Sequence, residues 1–173
     1  IKDFVRYPKK INSVVVEVMV NVGSCHEKSE ERGISHFLEH ILFEGTKKRV
    51  SNKEISNEIE RIGGDFNAYT STGKTCFYTK VLKKHFSIAV DVLADILQNP
   101  LLREEDIKKE KNVVLKEITM IYDEPRYHQW ILMQQNLFEK HPCKYPTYGD
   151  VRVIKSLNRK KVFDFFTKYY VPN

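Results

Sequence analysis

The chain has 173 residues, 41% hydrophobic and 30% charged, an ordinary balance for a globular protein and enough for one domain with a sizeable core. No apolar run approaches the ~20 residues of a membrane-spanning helix, and Ile1-Lys2-Asp3-Phe4 lacks the apolar core of a signal peptide. The net charge of +6 is spread over clusters such as Lys47-Lys48-Arg49, Lys83-Lys84 and Arg159-Lys160-Lys161, most of them in or beside helical patterns that also carry acids. Solvated helix faces are therefore expected, with neither nucleic-acid binding nor membrane insertion.

Cys25, Cys76 and Cys143 are far apart, odd in number and without a C-x-x-C. This argues against a disulfide framework and fits a reducing compartment, in the first place the cytoplasm. Cys25-His26 is an adjacent pair, but no second Cys lies at metal-ligand spacing, so an exposed loop pair is expected. The start at Ile1 rather than Met suggests processing or trimming.

In chain order, the β-branched run from Ser13 to Val22 predicts a strand, expected to be central, ending at Gly23-Ser24. Cys25 to Arg32 is a polar, mostly acidic loop. Gly33 precedes a helix over 34–43, with Gly45 as its stop. Ser51-Asn52-Lys53-Glu54 is a capping box, Ser51 capping and Glu54 reaching back. It opens a helix with Ile55, Ile59 and Ile62 on its apolar side, ended by Gly63-Gly64. Residues 66–70 and 75–82 predict a hairpin turning at Ser71-Thr72-Gly73-Lys74. A phosphate-loop reading of Gly73-Lys74-Thr75 fails, because Ala68 stands where that motif needs Gly. Helices follow over 85–97, 103–122 and 126–138, then a loop marked by Pro142, Pro146 and Gly149. Asn158 caps a last helix carrying Val162, Phe163, Phe166 and Tyr169, and Val171-Pro172-Asn173 reads as a connection. His85, His128 and His141 read as surface or helix-end residues. There is no repeat or linker, so one domain spans 1–173. Strands and helices do not alternate strictly. This predicts an α+β fold with a mostly antiparallel sheet packed against helices.

The first helix carries the chemistry. His36, Glu39 and His40 stand at i, i+3 and i+4 on one face, while Phe37, Leu38, Ile41 and Leu42 fill the other positions. Three polar groups on a helix that otherwise wants burial need a partner, and a divalent metal supplies one. A catalytic zinc takes three protein ligands and leaves a fourth position open, so His36 and His40 need a third donor, His, Asp or Glu, from another element. The long helix over 103–122 offers Glu104, Glu105 and Asp106 in its solvated first turn. It also offers Glu110 and Glu117, two turns apart on about the same face, and both are candidates to face the metal.

His-x-x-Glu-His reverses the commoner His-Glu-x-x-His order. Gly33 to Thr46 resembles, almost throughout, the motif of the M16 family of zinc metallopeptidases, the inverzincins that include pitrilysin, insulin-degrading enzyme and the mitochondrial processing peptidase β subunit. The resemblance continues through Gly63 to Ser71, through Ala89 to Leu97 and through Tyr169-Tyr170-Val171-Pro172-Asn173.

That resemblance implies a third ligand in a Glu some seventy-odd residues after the second His, where Glu117 stands. It implies one zinc held by His36, His40 and Glu117, with Glu39 as general base to a zinc-activated water and Glu110 as a further site residue that orients a ligand or assists the water. Asn67, Ala68 and Tyr69 match the edge strand that pairs with substrate backbone. Phe43 resembles a residue of the apolar pocket beside the metal, and serves equally well as helix core. The implied fold is an M16, LuxS-like metallohydrolase unit, incomplete here. The implied activity is endopeptidase cleavage of peptides or unfolded segments. The alternative is a non-catalytic M16-like scaffold or partner subunit, in which the metal motif is typically degraded. The implied partners are the remaining M16 units on the same chain, a partner subunit or a homodimer, so the chain alone is expected to be weakly active or inactive. A mitochondrial matrix or another organelle is the alternative compartment.

Overall fold

The structure, a computed structural model, describes residues 11–172. Ile1–Phe4, read above for a signal sequence, and Asn173, the last residue of the Tyr-Tyr-Val-Pro-Asn match, lie outside the described residues.

Three strands, β1 (Ser13–Val20), β2 (Asp65–Thr70) and β3 (Thr75–Leu82), form an antiparallel sheet in the order β1-β3-β2. The expectation of a central first strand is corrected. β3 is paired on both sides, whereas β1 is an edge among the described residues. A run of valines suits a strand buried on both faces, yet Val15 is 49% and Met19 37% exposed. In register, Val14, Val16, Val18 and Val20 share one face with Thr75, Phe77, Thr79 and Val81 and with Phe66, Ala68 and Thr70. The helices cover this face.

Those helices are α1 (Ile34–Ile41), α2 (Asn52–Glu60), α3 (Phe86–Gln98), α4 (Glu104–Asp123), α5 (Pro125–Leu137), α6 (Val151–Ser156) and α7 (Arg159–Tyr169). α1 and α3 pack on the sheet, and α4 packs on α1. The main core joins Phe37, Leu38 and Ile41 of α1 to Phe77 of β3, Leu93 and Ile96 of α3, and Val114 and Ile118 of α4. None of the described helices is long and apolar enough to cross a membrane.

Local signals account for most boundaries. Ser51 Oγ accepts the Glu54 amide at 3.3 Å, but Glu54 reaches past the cap to the Val50 amide, at 2.9 Å. α1 is two residues shorter than expected, because Phe43 and Glu44 bond back to His40 and Ile41 in a tightened last turn. α6 lies between the loop expected around Pro142, Pro146 and Gly149 and the helix capped by Asn158, where no element is expected. It is capped by Asp150, whose carboxylate accepts the Arg152 and Val153 amides. The loop before it packs on the start of α1 backbone to backbone. A Cβ on Gly149 (φ +84°) would lie 2.4 Å from the Gly33 Cα and the Arg32 carbonyl, so only glycine fits there.

Arg49, 3% exposed, pins the turn after α1 to α2 and α3. It donates to Glu58 at 2.6 and 3.0 Å, to Asp95 at 2.8 Å and to Asp91 at 2.5 Å. Thr46 Oγ1 also donates to Asp95, at 2.5 Å. A buried cation is tolerated only with its donors filled, and a lysine has no fork to reach three carboxylates. Arg49→Lys is expected to lower unfolding stability by about 1–3 kcal/mol, read as a fall in urea midpoint. An unchanged midpoint would remove this network from the account of the fold.

Candidate metal centre

α1 begins without a side-chain cap of its own, because its N-cap is Gly33 at φ +91°. Glu27 fills the gap from six residues upstream, accepting the Gly33 amide at 2.7 Å and the Ser35 amide at 2.8 Å. A carboxylate at this end also complements the helix dipole. No local signal marks this role, since Glu27 lies outside the capping window and reads as one acid of a polar loop. Burial pushes its carboxyl up from 4.5 to about 7, against the two backbone bonds that favour the charged form. The folded state thus binds this proton more tightly than the unfolded state. The associated stability is full below 4.5 and is lost as pH rises through about 7. In metal-free protein, the thermal stability of wild type relative to Glu27→Gln is expected to fall across that window and then level off. A difference that grows with pH would refute the assignment.

The helix so started presents His36, Glu39 and His40 on one face, and α4 brings Glu117 to the same point. His36 Nε2 and His40 Nε2 are 3.3 Å apart. Glu117 Oε2 is 3.7 Å from the first and 3.4 Å from the second. Three donors of a tetrahedral ion with bonds of about 2.0–2.1 Å stand roughly 3.3–3.4 Å apart. The triangle already has the size and the nitrogen and oxygen donor set of a zinc site.

The two histidines are tuned differently. Burial, then the neighbouring His40, holds His36 down at about 4, so it is the neutral imidazole a metal needs. Burial also acts against the His40 cation, but bonds to Glu110 and Glu117 outweigh it and lift His40 to about 9. A metal must therefore displace a proton there. Hydrogen bonding from His40 keeps the Glu117 carboxyl below its usual range, in the ionised form that binds metal.

Glu110, 6% exposed, stands outside the triangle. Its Oε2 lies 3.4 Å from His40 Nδ1, the ring nitrogen that is not in the triangle. From there it can orient the His40 ring without entering the triangle. Glu39 Oε2 accepts the Thr70 hydroxyl at 2.6 Å. Burial pushes the Glu39 carboxyl up, with the Thr70 bond opposing. Thr70 is the last residue of β2, and nothing in the sequence linked it to Glu39.

β2 has a free outer edge among the described residues. The bond from the Ser71 amide to the Lys74 carbonyl (2.8 Å) closes the hairpin and fixes the ladder phase. The backbone groups of Phe66, Ala68 and Thr70 then point away from β3. The Ala68 amide is held by its neighbour's side chain, Asn67 Oδ1, at 2.8 Å. Of the three candidate substrate contacts, only Ala68 is on the α1 side of the sheet. Asn67 and Tyr69 face the other side, where Tyr69 Oη meets Glu17 at 3.4 Å. Phe43 packs with Phe66 and Phe77, ring centres 5.3 and 5.9 Å away.

One expectation is overturned outright. Cys143, 118 residues from Cys25, comes to 2.9 Å from it, sulfur to sulfur, and His141 stands beside both. Cys25 is half-buried and is not merely a loop residue.

Comparison with known proteins agrees with this architecture. Residues 5–151 match the model of insulinase, peptidase family M16. An uncharacterized zinc protease of Bacillus subtilis, YmxG, is 40% identical over 94% of this chain and 40% of its own length. The rat mitochondrial-processing peptidase subunit beta is 34% identical over 92% of this chain and 32% of its own length. Among solved structures, a protease from Helicobacter pylori superposes with a TM-score of 0.88 at 25% identity, over 98% of this chain and 43% of that one. Pitrilysin gives 0.80 at 26% identity, over 93% of this chain and 18% of its own. The chain thus spans less than half the length of these relatives. Sequence, fold and site agree, and the chain belongs to the insulinase family of peptidases, M16.

Proposed function

We propose that this chain is one α/β unit, residues 1–173, that carries the zinc site of an endopeptidase acting on peptides or unfolded protein segments. The observation that carries the reading is the complete donor triangle of His36, His40 and Glu117 on the helix that also holds Glu39. A scaffold that had lost catalysis would have no use for all four groups. Bound zinc would polarise the scissile carbonyl and lower the pKa of a water in its fourth position.

The remaining steps belong to the protein's own residues. The Thr70 hydroxyl holds one oxygen of Glu39, leaving the other to take a proton from the attacking water. Burial raises the Glu39 pKa, which favours its holding that proton until the same carboxyl hands it to the leaving amine nitrogen. An extended substrate adds to the outer edge of β2, and its carbonyl replaces Asn67 Oδ1 on the Ala68 amide. This edge is contiguous with Thr70, so a strand paired there passes beside Glu39.

The unit is incomplete as a protease. Val15, Met19, Phe86, Val90 and Val171 leave an apolar groove along the outer edge of β1. Further M16 units, on the same chain or on a partner, pack there in this reading. The isolated chain is expected to bind zinc but to cleave an unstructured peptide weakly or not at all. The protein that includes the further units is expected to cleave it in a chelator-sensitive way. Chelator-resistant cleavage by that protein would overturn the zinc peptidase reading. Full activity from a verified monomer of this chain would overturn the need for further units.

A further inference from the structure

We propose that Cys25, His141 and Cys143 form a second metal site, apart from the triangle on α1 and α4, that takes a thiophilic divalent ion of the zinc class. One donor atom from each of the three residues lies within 4.8 Å of the other two. The sulfurs are 2.9 Å apart, and all three cysteines of the chain are free thiols. Two thiolates and an imidazole are a recurrent zinc donor set. With Zn–S near 2.3 Å and Zn–N near 2.0–2.1 Å, its donors stand roughly 3.4–3.8 Å apart. The sulfurs must open and the widest pair close by about 1 Å each, within the reach of small side-chain rotations.

The donors sit on short turns whose backbones are already hydrogen bonded. The Cys25 amide donates to the Thr72 carbonyl at 2.8 Å, and the Ser24 amide to that of Ser71 at 3.3 Å. His141 Nδ1 accepts the Cys143 amide at 3.2 Å, which holds the ring against the turn over Pro142–Lys144. The two segments also meet beyond the sulfurs. The Arg32 guanidinium lies 3.2 Å over the Tyr145 ring, and Gly33 packs on Gly149. The fold thus brings the donors together independently of any ion.

Without a cation the pair is poorly used. Burial, then the bond to Cys143, pushes the Cys25 thiol up to about 12, and a thiol is a weak donor. A divalent ion changes that balance. Two S–H bonds break, two sulfur–metal bonds form, and two protons leave to solvent with no change of oxidation state. Three protein donors leave a fourth position for water. The site would tie the segment after α5 to the β2–β3 turn, one residue beyond the Thr70 that holds Glu39.

Cobalt separates this site from the first by its ligands, because only the second contains sulfur. Reduced, metal-free chain titrated with Co2+ is expected to take up two equivalents. One should carry a thiolate-to-cobalt charge-transfer band in the near ultraviolet. Cys25→Ser with Cys143→Ser should abolish the band and one equivalent. His36→Gln with Glu117→Gln should keep the band and lose the other equivalent. His141→Ala should weaken the sulfur-ligated equivalent at least tenfold. Uptake of a single equivalent without the band would overturn the proposal, as would a band that survives loss of both cysteines. Reduced protein that binds no cobalt at this pair, yet forms a Cys25–Cys143 disulfide in air, would also overturn it in favour of a redox pair. The readout is spectroscopic, so failure here leaves the peptidase reading untouched.

Discussion

Glu39→Gln is expected to keep zinc at wild-type affinity while lowering kcat by roughly 10²–10⁴-fold, the usual weight of a general base. The two effects separate because Glu39 is not part of the donor triangle. That triangle is closed by His36, His40 and Glu117, while the Glu39 carboxylate is turned to the Thr70 hydroxyl at 2.6 Å. Glutamine keeps the shape and can still accept from Thr70, but it cannot take up a proton at neutral pH. KM should change little, because the loss falls on the reacting step. The measurement is kcat on an unstructured peptide, alongside zinc content, in the protein that joins this chain to the further units. Parallel loss of zinc would make Glu39 a ligand, and retained activity would move the base elsewhere.

The site was legible in the sequence where its parts are local or follow a family pattern. The i, i+3, i+4 spacing put His36, Glu39 and His40 on one helix face without any structure. Burial period narrowed the third donor to Glu110 or Glu117, and only the M16 resemblance chose between them. The structure supplies a physical ground for that choice. Glu117 reaches the ring nitrogens of both histidines that face each other, and Glu110 reaches only the far side of His40. Contacts made by tertiary packing were illegible. Glu27 caps α1 across a loop, and Thr70 meets Glu39 across a sheet-to-helix contact. Cys25 and Cys143 have no spacing signal at all, because their meeting depends on the whole fold.

The strand error has a similar origin. Five valines among the eight residues of Ser13–Val20 look like a strand covered on every side. Apolar content reports how much cover a strand needs, and cannot say whether the covering chain is present. Val15 and Met19 remain exposed beside an unpaired edge. The proposed further M16 units would cover this strand, and the relatives are more than twice as long as this chain.

Glu117→Gln is expected to weaken zinc binding by more than the roughly 10–100-fold typical of a residue that only supports a ligand, whereas Glu110→Gln should fall within that range. Glu117 Oε2 is one corner of the donor triangle, and its carboxyl is held ionised by His40. An amide oxygen in its place is neutral and a poor donor to a divalent ion. It also leaves two imidazoles alone to hold the charge. In the proposed role Glu110 acts one step back, through its 3.4 Å contact to His40 Nδ1. Its loss therefore loosens a ligand without removing one. Competition against a chromophoric chelator measures both, in a Cys25→Ser, Cys143→Ser background so that only this site is counted. Each variant needs a far-ultraviolet circular dichroism spectrum like wild type, because Glu110 is buried beside the core. If Glu117→Gln holds zinc as tightly as wild type, the triangle is not the metal site. If Glu110→Gln is the more damaging change, the roles of the two glutamates are reversed, and the donor set becomes His36, His40 and Glu110.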